Sequence, residues 1–418
     1  MAKKWAHILC LVFLFTGCAF YRSGQLVSEN RVIESDCDYL LGIVEFDDQG
    51  WFVDRGLVEK VLSRVSAEVE KGGATIVVYT HGWHHDGSKG DSELADFRKT
   101  LAALVRQNTE NKTLSRSLGL GPTSSRVVGV YVAWRGKSLP WKLDYATFWD
   151  RRPAALRVGH GDAPELFSRL DAIYRASNLE SEAWTYMVSI GNSFGGQVTF
   201  AAVADTLKQR LADQVGVEPN AKQPKGTLRG YGDLVVLVNP ALDAAQYESI
   251  DILARKREYS PSQRPVLMVV SSEGDWPNRL FFPPARFLSV RKEPLGRSGQ
   301  FRKKTRTLGH VRQHVTHCLS VEEESCRGYP ESDKSARSQL STLLVSPKVA
   351  ETAPLSGSFD TCGTTFRPVQ KVSPYLPFTV IRATDDVVSH HTDSFNEKFR
   401  CFLLNYVQAD QLKRLALR

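Results

Sequence analysis

The chain has no cysteine pairs at zinc-ligand spacing, no glycine-rich phosphate loop and no internal repeat. Those absences exclude a structural zinc module, a P-loop nucleotide hydrolase and a solenoid. No cysteine sits in a motif that would make it a thiol nucleophile. Charge of one sign is also scarce: 54 Lys and Arg against 46 Asp and Glu leave +8, which favours anionic surfaces and implies no nucleic-acid partner. What remains is an ordinary globular composition over 418 residues, enough to bury a large core.

Near the start, Lys3 and Lys4 precede the apolar run AHILCLVFLF, which is too short to span a bilayer and fits the core of a signal peptide. The run ends in LFTGCAF, Leu14 to Phe20. That ending resembles a bacterial lipobox, in which small residues precede a cysteine that is lipidated and becomes the mature N-terminus. The resemblance implies a signal peptide over 1–17, lipid on Cys18 and a polar tether over 18–38. Ala19 stands where an aspartate would retain a lipoprotein in the inner membrane, so the same resemblance implies the outer membrane, facing the periplasm. Several acyl chains would anchor the protein firmly, at about 0.8 kcal/mol per buried methylene. Cysteines can pair in such a compartment. The mature ones besides Cys18 are Cys37, Cys318, Cys326, Cys362 and Cys401; their odd number leaves at least one free, and Cys318 with Cys326 is the nearest pair in sequence.

From about residue 39, apolar runs alternate with helical periods, which is the pattern of an α/β fold with a mostly parallel sheet and helices on both faces. The expected strands are LLGIVEF, ATIVVYT, RVVGVYVAW, TYMVSIG, DLVVLVN, PVLMVVSS and PFTVIRA. Helices are expected over Glu93 to Gln107, Glu165 to Ser177, Gly196 to Gln214 and Ala245 to Tyr259. A final helix is expected from about Phe395, with Ser394 and Glu397 spaced as a capping box. Residues 277–376 show no clear strand and are too long for a simple crossover, so they read as a lid-like or partly disordered insertion before the last strand. Its early part carries Leu280, Phe281, Phe282 and Phe287, interrupted by Pro283 and Pro284, which discourage a helix or an inner strand there. A dense basic run follows, from Arg286 to Arg312.

Three glycines crowd one serine in SIGNSFGGQVTF, where an expected strand meets an expected helix. Gly191-Asn192-Ser193-Phe194-Gly195 is G-x-S-x-G, a sharp strand-to-helix turn that exposes a serine hydroxyl. In an open parallel sheet, ligands sit at the carboxyl ends of the strands. There the chain places HGWHHDGS after Thr80, the serine turn, SSEGDW after Val270 and TDDVVSHHTD after Ala383. A serine, acids and histidines thus gather at one edge, in the chain order Ser193, Asp275, then His390 or His391.

The elbow with this order resembles the α/β-hydrolase superfamily, in particular lipase- and esterase-like members with an His-Gly-Trp loop, from about Leu40 to the C-terminus. The resemblance implies the fold, Ser193 as nucleophile, and backbone N–H groups of Phe194 and Trp83 as the oxyanion hole. It also implies no cofactor, and its histidine loop fits His391 better than His390. Neighbouring side chains in an extended segment point apart, so only one of the two histidines can face Ser193. Asp275 is the acid favoured by position, with Asp243 in NPALDA as the alternative and Glu273 two residues away. Asp385 and Asp386 read as solvated turn residues. His81 is expected to brace its loop; His81, His84, His85 and Asp86 lack the further spaced ligands a metal site would need. Trp134 is open between the wall of an acyl pocket and plain core. The function expected is a lipid-anchored serine hydrolase acting on an ester or lipid substrate. The rival is a catalytically silent relative serving as an envelope binding or scaffold protein.

Overall fold

A computed structural model describes residues 32–35, 38–120, 123, 126–137, 147–179, 184–214, 227–294, 299–321, 324–329, 338–344, 346–391 and 396–417. The signal segment 1–17, Cys18, Cys37 and most of the tether lie outside those residues. Twelve described strands form a single sheet: β1 Ile33–Ser35, β2 Tyr39–Phe46, β3 Thr75–Thr80, β4 Val127–Trp134, β5 Tyr186–Asn192, β6 Leu234–Val238, β7 Leu267–Ser272, β8 His317–Val321, β9 Ser338–Gln339, β10 Phe359–Thr361, β11 Thr364–Pro368 and β12 Phe378–Ala383. Their order across the sheet is β1-β2-β4-β3-β5-β6-β7-β12-β8-β11-β10-β9. Every pairing from β2 to β8 is parallel. The antiparallel pairs are β1–β2, β8–β11 and β10–β11.

β3, β4, β6 and β7 are buried at every residue, so both faces of the sheet are covered. That is why these strands read as unbroken apolar runs. The four expected helices are present, as Ser92–Ser117, Ala163–Ser177, Phe194–Gln214 and Ala244–Arg255; the first runs ten residues past the expected Gln107 and the last stops short of Tyr259. Arg55–Val69 and Phe148–His160 add two more, the second tolerating Pro153. The last helix, Glu397–Ala416, is capped by Asn396, whose side chain accepts from the Lys398 amide. The expected cap Ser394 lies outside the described residues.

The strandless reading of 277–376 is corrected: β8, β9, β10 and β11 all lie within it and extend the sheet beyond β12. These strands run from two to five residues and are rich in hydroxyls, as in TTFRP, so no alternation marks them. Tertiary packing supplies what the pattern lacks. Phe359 and Phe366 pair across β10 and β11 at 4.9 Å between ring centroids, and His317 stacks on Phe366 at 4.5 Å. Pro283 and Pro284 do not prevent a helix either. They open the helix Phe282–Val290 in its first turn, where a missing N–H removes no helical bond. Cys318 is bonded to Cys326 as the sequence spacing implied, and Cys362 is bonded to Cys401, tying the last helix to the β10–β11 turn.

Candidate active site

β5 ends at Asn192 and the next helix begins at Phe194, so Ser193 alone makes the turn. Its φ of 53° is left-handed, a conformation that strains a residue with a side chain by about 1–3 kcal/mol. The turn is held by Ser193 N–H donating to Val238 O at 2.9 Å and by Ala241 N–H donating to Ser193 O at 3.1 Å. The neighbouring glycines answer a different need, close approach. A Cβ on Gly195 would lie 2.2 Å from Thr80 O, and one on Gly191 would lie 2.6 Å from Gly195 O. Any larger residue there would push the helix off β3.

Ser193 Oγ lies 2.6 Å from His391 Nε2, and His391 Nδ1 lies 2.7 Å from Asp275 Oδ1. All three residues are buried, Asp275 completely. Asp275 follows β7 and also caps a short helix, Trp276–Leu280, by accepting from the Asn278 amide at 3.1 Å. Its other oxygen accepts from Asn278 Nδ2 at 2.7 Å. Burial pushes the Asp275 carboxyl up, but the His391 ring outweighs it, and the group is held below the usual carboxylate range. A carboxylate on Nδ1 keeps the proton there and leaves Nε2 as the acceptor facing the serine.

His390 is exposed, and its carbonyl meets Asn239 Nδ2 at 3.4 Å. The alternative acid Asp243 is engaged elsewhere, by Arg152 Nη2 at 3.1 Å and Arg286 Nε at 2.9 Å. Glu273 accepts from the Arg327 amide at 2.5 Å. Asp385 and Asp386 are exposed. Of the expected acids and bases, only Asp275 and His391 are brought to Ser193.

The His-Gly-Trp loop lies against the elbow: a Cβ on Gly82 would sit 3.1 Å from Ser193 Cβ. Gly82 therefore borders the serine; Trp83 follows Gly82 in the chain, and Phe194 follows Ser193. His81 braces this loop from inside the core. Its Nε2 accepts from the Trp134 amide at 3.0 Å, its Nδ1 meets Gly82 O at 2.9 Å, and burial holds its pKa down. Trp134 is core: it is completely buried and stacks on the His81 ring at 5.7 Å.

A weak structural neighbour is a lipolytic enzyme. It is phospholipase PlaB from Legionella pneumophila in complex with thio-NAD, at 12% identity and a TM-score of 0.25. The match covers 61% of this chain and 47% of the neighbour, so it spans about half of that protein's length. No family model and no curated protein matches the chain. A likeness that slight carries no argument, and the site has to be read from its own chemistry.

Several further residues shape the site though the sequence assigned them no part in it. Glu93, buried at the start of the helix Ser92–Ser117, accepts from Tyr79 OH at 2.7 Å, Asn192 Nδ2 at 2.6 Å and Gly82 N–H at 3.0 Å. One carboxylate thus ties β3, the residue before Ser193 and the His-Gly-Trp loop together. His85 meets Asp91 at 3.1 Å. Burial opposes charge on His85, but Glu93 and Asp91 outweigh it and raise its pKa to about 9. Asn239, with φ 44°, accepts from the Ser272 amide at 2.8 Å, and its carbonyl accepts from Asn278 Nδ2 at 2.9 Å. The legible signal was Asp91-x-Glu93 opening a helix just after HGWHHDGS. Nothing local marks Asn239 or Asn278.

The basic run is partly neutralised. Arg286 pairs with Asp243, Lys303 with Glu248 and Lys304 with Glu293.

Proposed function

We propose that the protein is a serine hydrolase of the α/β-hydrolase fold that cleaves carboxylic esters, lipids among them, through an acyl-enzyme on Ser193. The observation that carries this reading is the continuous hydrogen-bonded relay from Ser193 Oγ through His391 to the buried Asp275. A serine hydroxyl is a weak nucleophile until a base takes its proton. His391 Nε2 takes that proton as Oγ attacks the ester carbonyl, and Asp275 holds the ring's orientation and stabilises the imidazolium. The N–H groups of Trp83 and Phe194 are assigned to the oxyanion. His391 then gives the proton to the leaving alkoxide. In the second half, water attacks the acyl-enzyme, again with His391 as base, and Ser193 is released.

A lipid substrate is supported by Trp276, Leu280 and Phe287, which are exposed just after the loop that carries Asp275. Together with the basic run they make the early part of 277–376 a lid in this proposal. Attachment at the outer membrane through Cys18 belongs to the same proposal and rests on the LFTGC pattern alone. The test is Ser193→Ala. Fluorophosphonate labelling should vanish, and turnover of a soluble ester should fall by about three decades or more. Wild-type protein that fails to label would favour the silent relative, and near wild-type turnover by the variant would remove Ser193 from the reaction.

A further inference from the structure

We infer that the protein carries a second binding site, for a small organic oxyanion, built around Arg257 and Lys371 at the end of the sheet remote from Ser193. A cavity of about 240 Å³ lies between the helix Ala244–Arg255 and the start of β12, bordered by Tyr247, Arg257, Tyr259, Lys371, Leu376 and Phe378. Arg257 is only 7% exposed, and its guanidinium carbon lies 5.9 Å from the centroid of the Tyr259 ring. Its Nε and Nη1 are buried with no hydrogen-bond partner among the described residues. A guanidinium does not shed its charge, so burying one without an anion is unfavourable.

Asp251, the acid that lines the cavity, does not supply that anion. Asp251 accepts from Arg255 Nε at 2.7 Å and faces His314 Nδ1 at 3.2 Å. Lys371 adds a second cation, with no ion pair among the described residues. Charge is therefore left over at the cavity, and a ligand oxyanion completes it. Tyr247, Val372, Leu376 and Phe378 give the cavity an apolar side, beside the polar Thr316 and Ser373 and the Asp251–Arg255 pair. An anion on a compact apolar body uses both features, whereas a free hydrated phosphate uses only the charge. Phe378 begins β12, whose six residues span about 20 Å before the loop that leads to His391. A molecule bound here does not touch the serine, so the site stands whether or not the ester hydrolase reading does.

The test is calorimetric titration of the full-length protein with octanoate and, separately, with inorganic phosphate. Wild type should bind octanoate. Its Kd should weaken about tenfold or more in Arg257→Gln and several-fold in Lys371→Ala, as expected for loss of charged hydrogen bonds. Ester turnover should stay at the wild-type level in both variants. Phosphate bound as tightly as octanoate, with the same dependence on Arg257, would overturn the organic half of the assignment. No binding to wild type, or equal octanoate binding by wild type and both variants, would overturn the site. Lys371 is exposed, so Lys371→Ala decides the matter if Arg257→Gln fails to fold.

Discussion

Asp275 and Asp410 are both completely buried, at opposite ends of the same sheet, and they hold opposite kinds of partner. Asp410 accepts from Arg264 Nε at 3.0 Å, Arg264 Nη2 at 2.5 Å and Tyr186 OH at 2.8 Å. Arg264 continues to Asp233 at 2.7 Å, and Asp233 is shared with Arg414 at 2.9 Å. This network fastens the last helix to the amino ends of β5, β6 and β7. Asp275 instead faces an imidazole. A guanidinium keeps its charge through any reaction, while an imidazole accepts and returns a proton near neutrality. The pKa directions follow. Burial, with Asp233 nearby, keeps Asp410 above the usual range despite Arg264, whereas His391 brings Asp275 below it. Burial of a carboxylate therefore says little about its task; the partner says most of it.

The sharpest break of this comparison is Asp275→Asn. An amide cannot hold His391 in the same tautomer, so ester turnover should drop by about four decades, with the melting temperature nearly unchanged. A variant that unfolds instead would make Asp275 a structural residue like Asp410. The mirror experiment is Asp410→Ala. Removing one member of a buried ionic network should cost about 3–5 kcal/mol in chemical denaturation and leave turnover per folded molecule intact.

Between these extremes lies His85, which pairs with Asp91 beside the site yet does not touch Ser193. Its folded pKa of about 9 lies above the unfolded value of 6.5. The pairing therefore stabilises fully below pH 6.5 and is lost as pH rises through 9, a contribution of about 3 kcal/mol at most. His85→Gln should lower stability at pH 6, and the difference from wild type should close by pH 10. A constant difference across that range would show that packing, not charge, holds the loop. The smallest effect is expected from His390→Ala. That residue is exposed, one position from the proposed base His391, and both turnover and stability should stay within about 0.5 kcal/mol of wild type. A large loss of turnover would reverse the two histidines.

Much of the sheet was legible because a strand covered on both faces has to be apolar throughout, as IVVY in β3 and LVVLV in β6 are. The serine elbow was legible for a steric reason. Only glycine permits the approach of Gly195 to Thr80 and of Gly191 to Gly195, so the requirement is written into residue type. The strands of 277–376 were not legible, because His317–Val321 and Thr364–Pro368 become strands through partners far away in the chain and carry no apolar period of their own. Pro283 and Pro284 were read against a helix because a proline's effect depends on whether it falls in the first turn, and composition does not reveal helix starts.

The choice among Asp243, Glu273 and Asp275, and between His390 and His391, belonged to the folded chain. Short-range patterns of size and polarity were enough to name an α/β sheet, a strained serine turn and the edge where acids and histidines gather. Which acid meets which histidine depends on loop paths and on competing partners. Arg152 and Arg286 occupy Asp243, the Arg327 amide occupies Glu273, and Asn278 with Asn239 holds the remaining acid under His391. Asn278 is only three positions from Asp275. The other contacts join residues 39 to 91 positions apart and His391 reaches Asp275 across 116, and no local pattern specifies those.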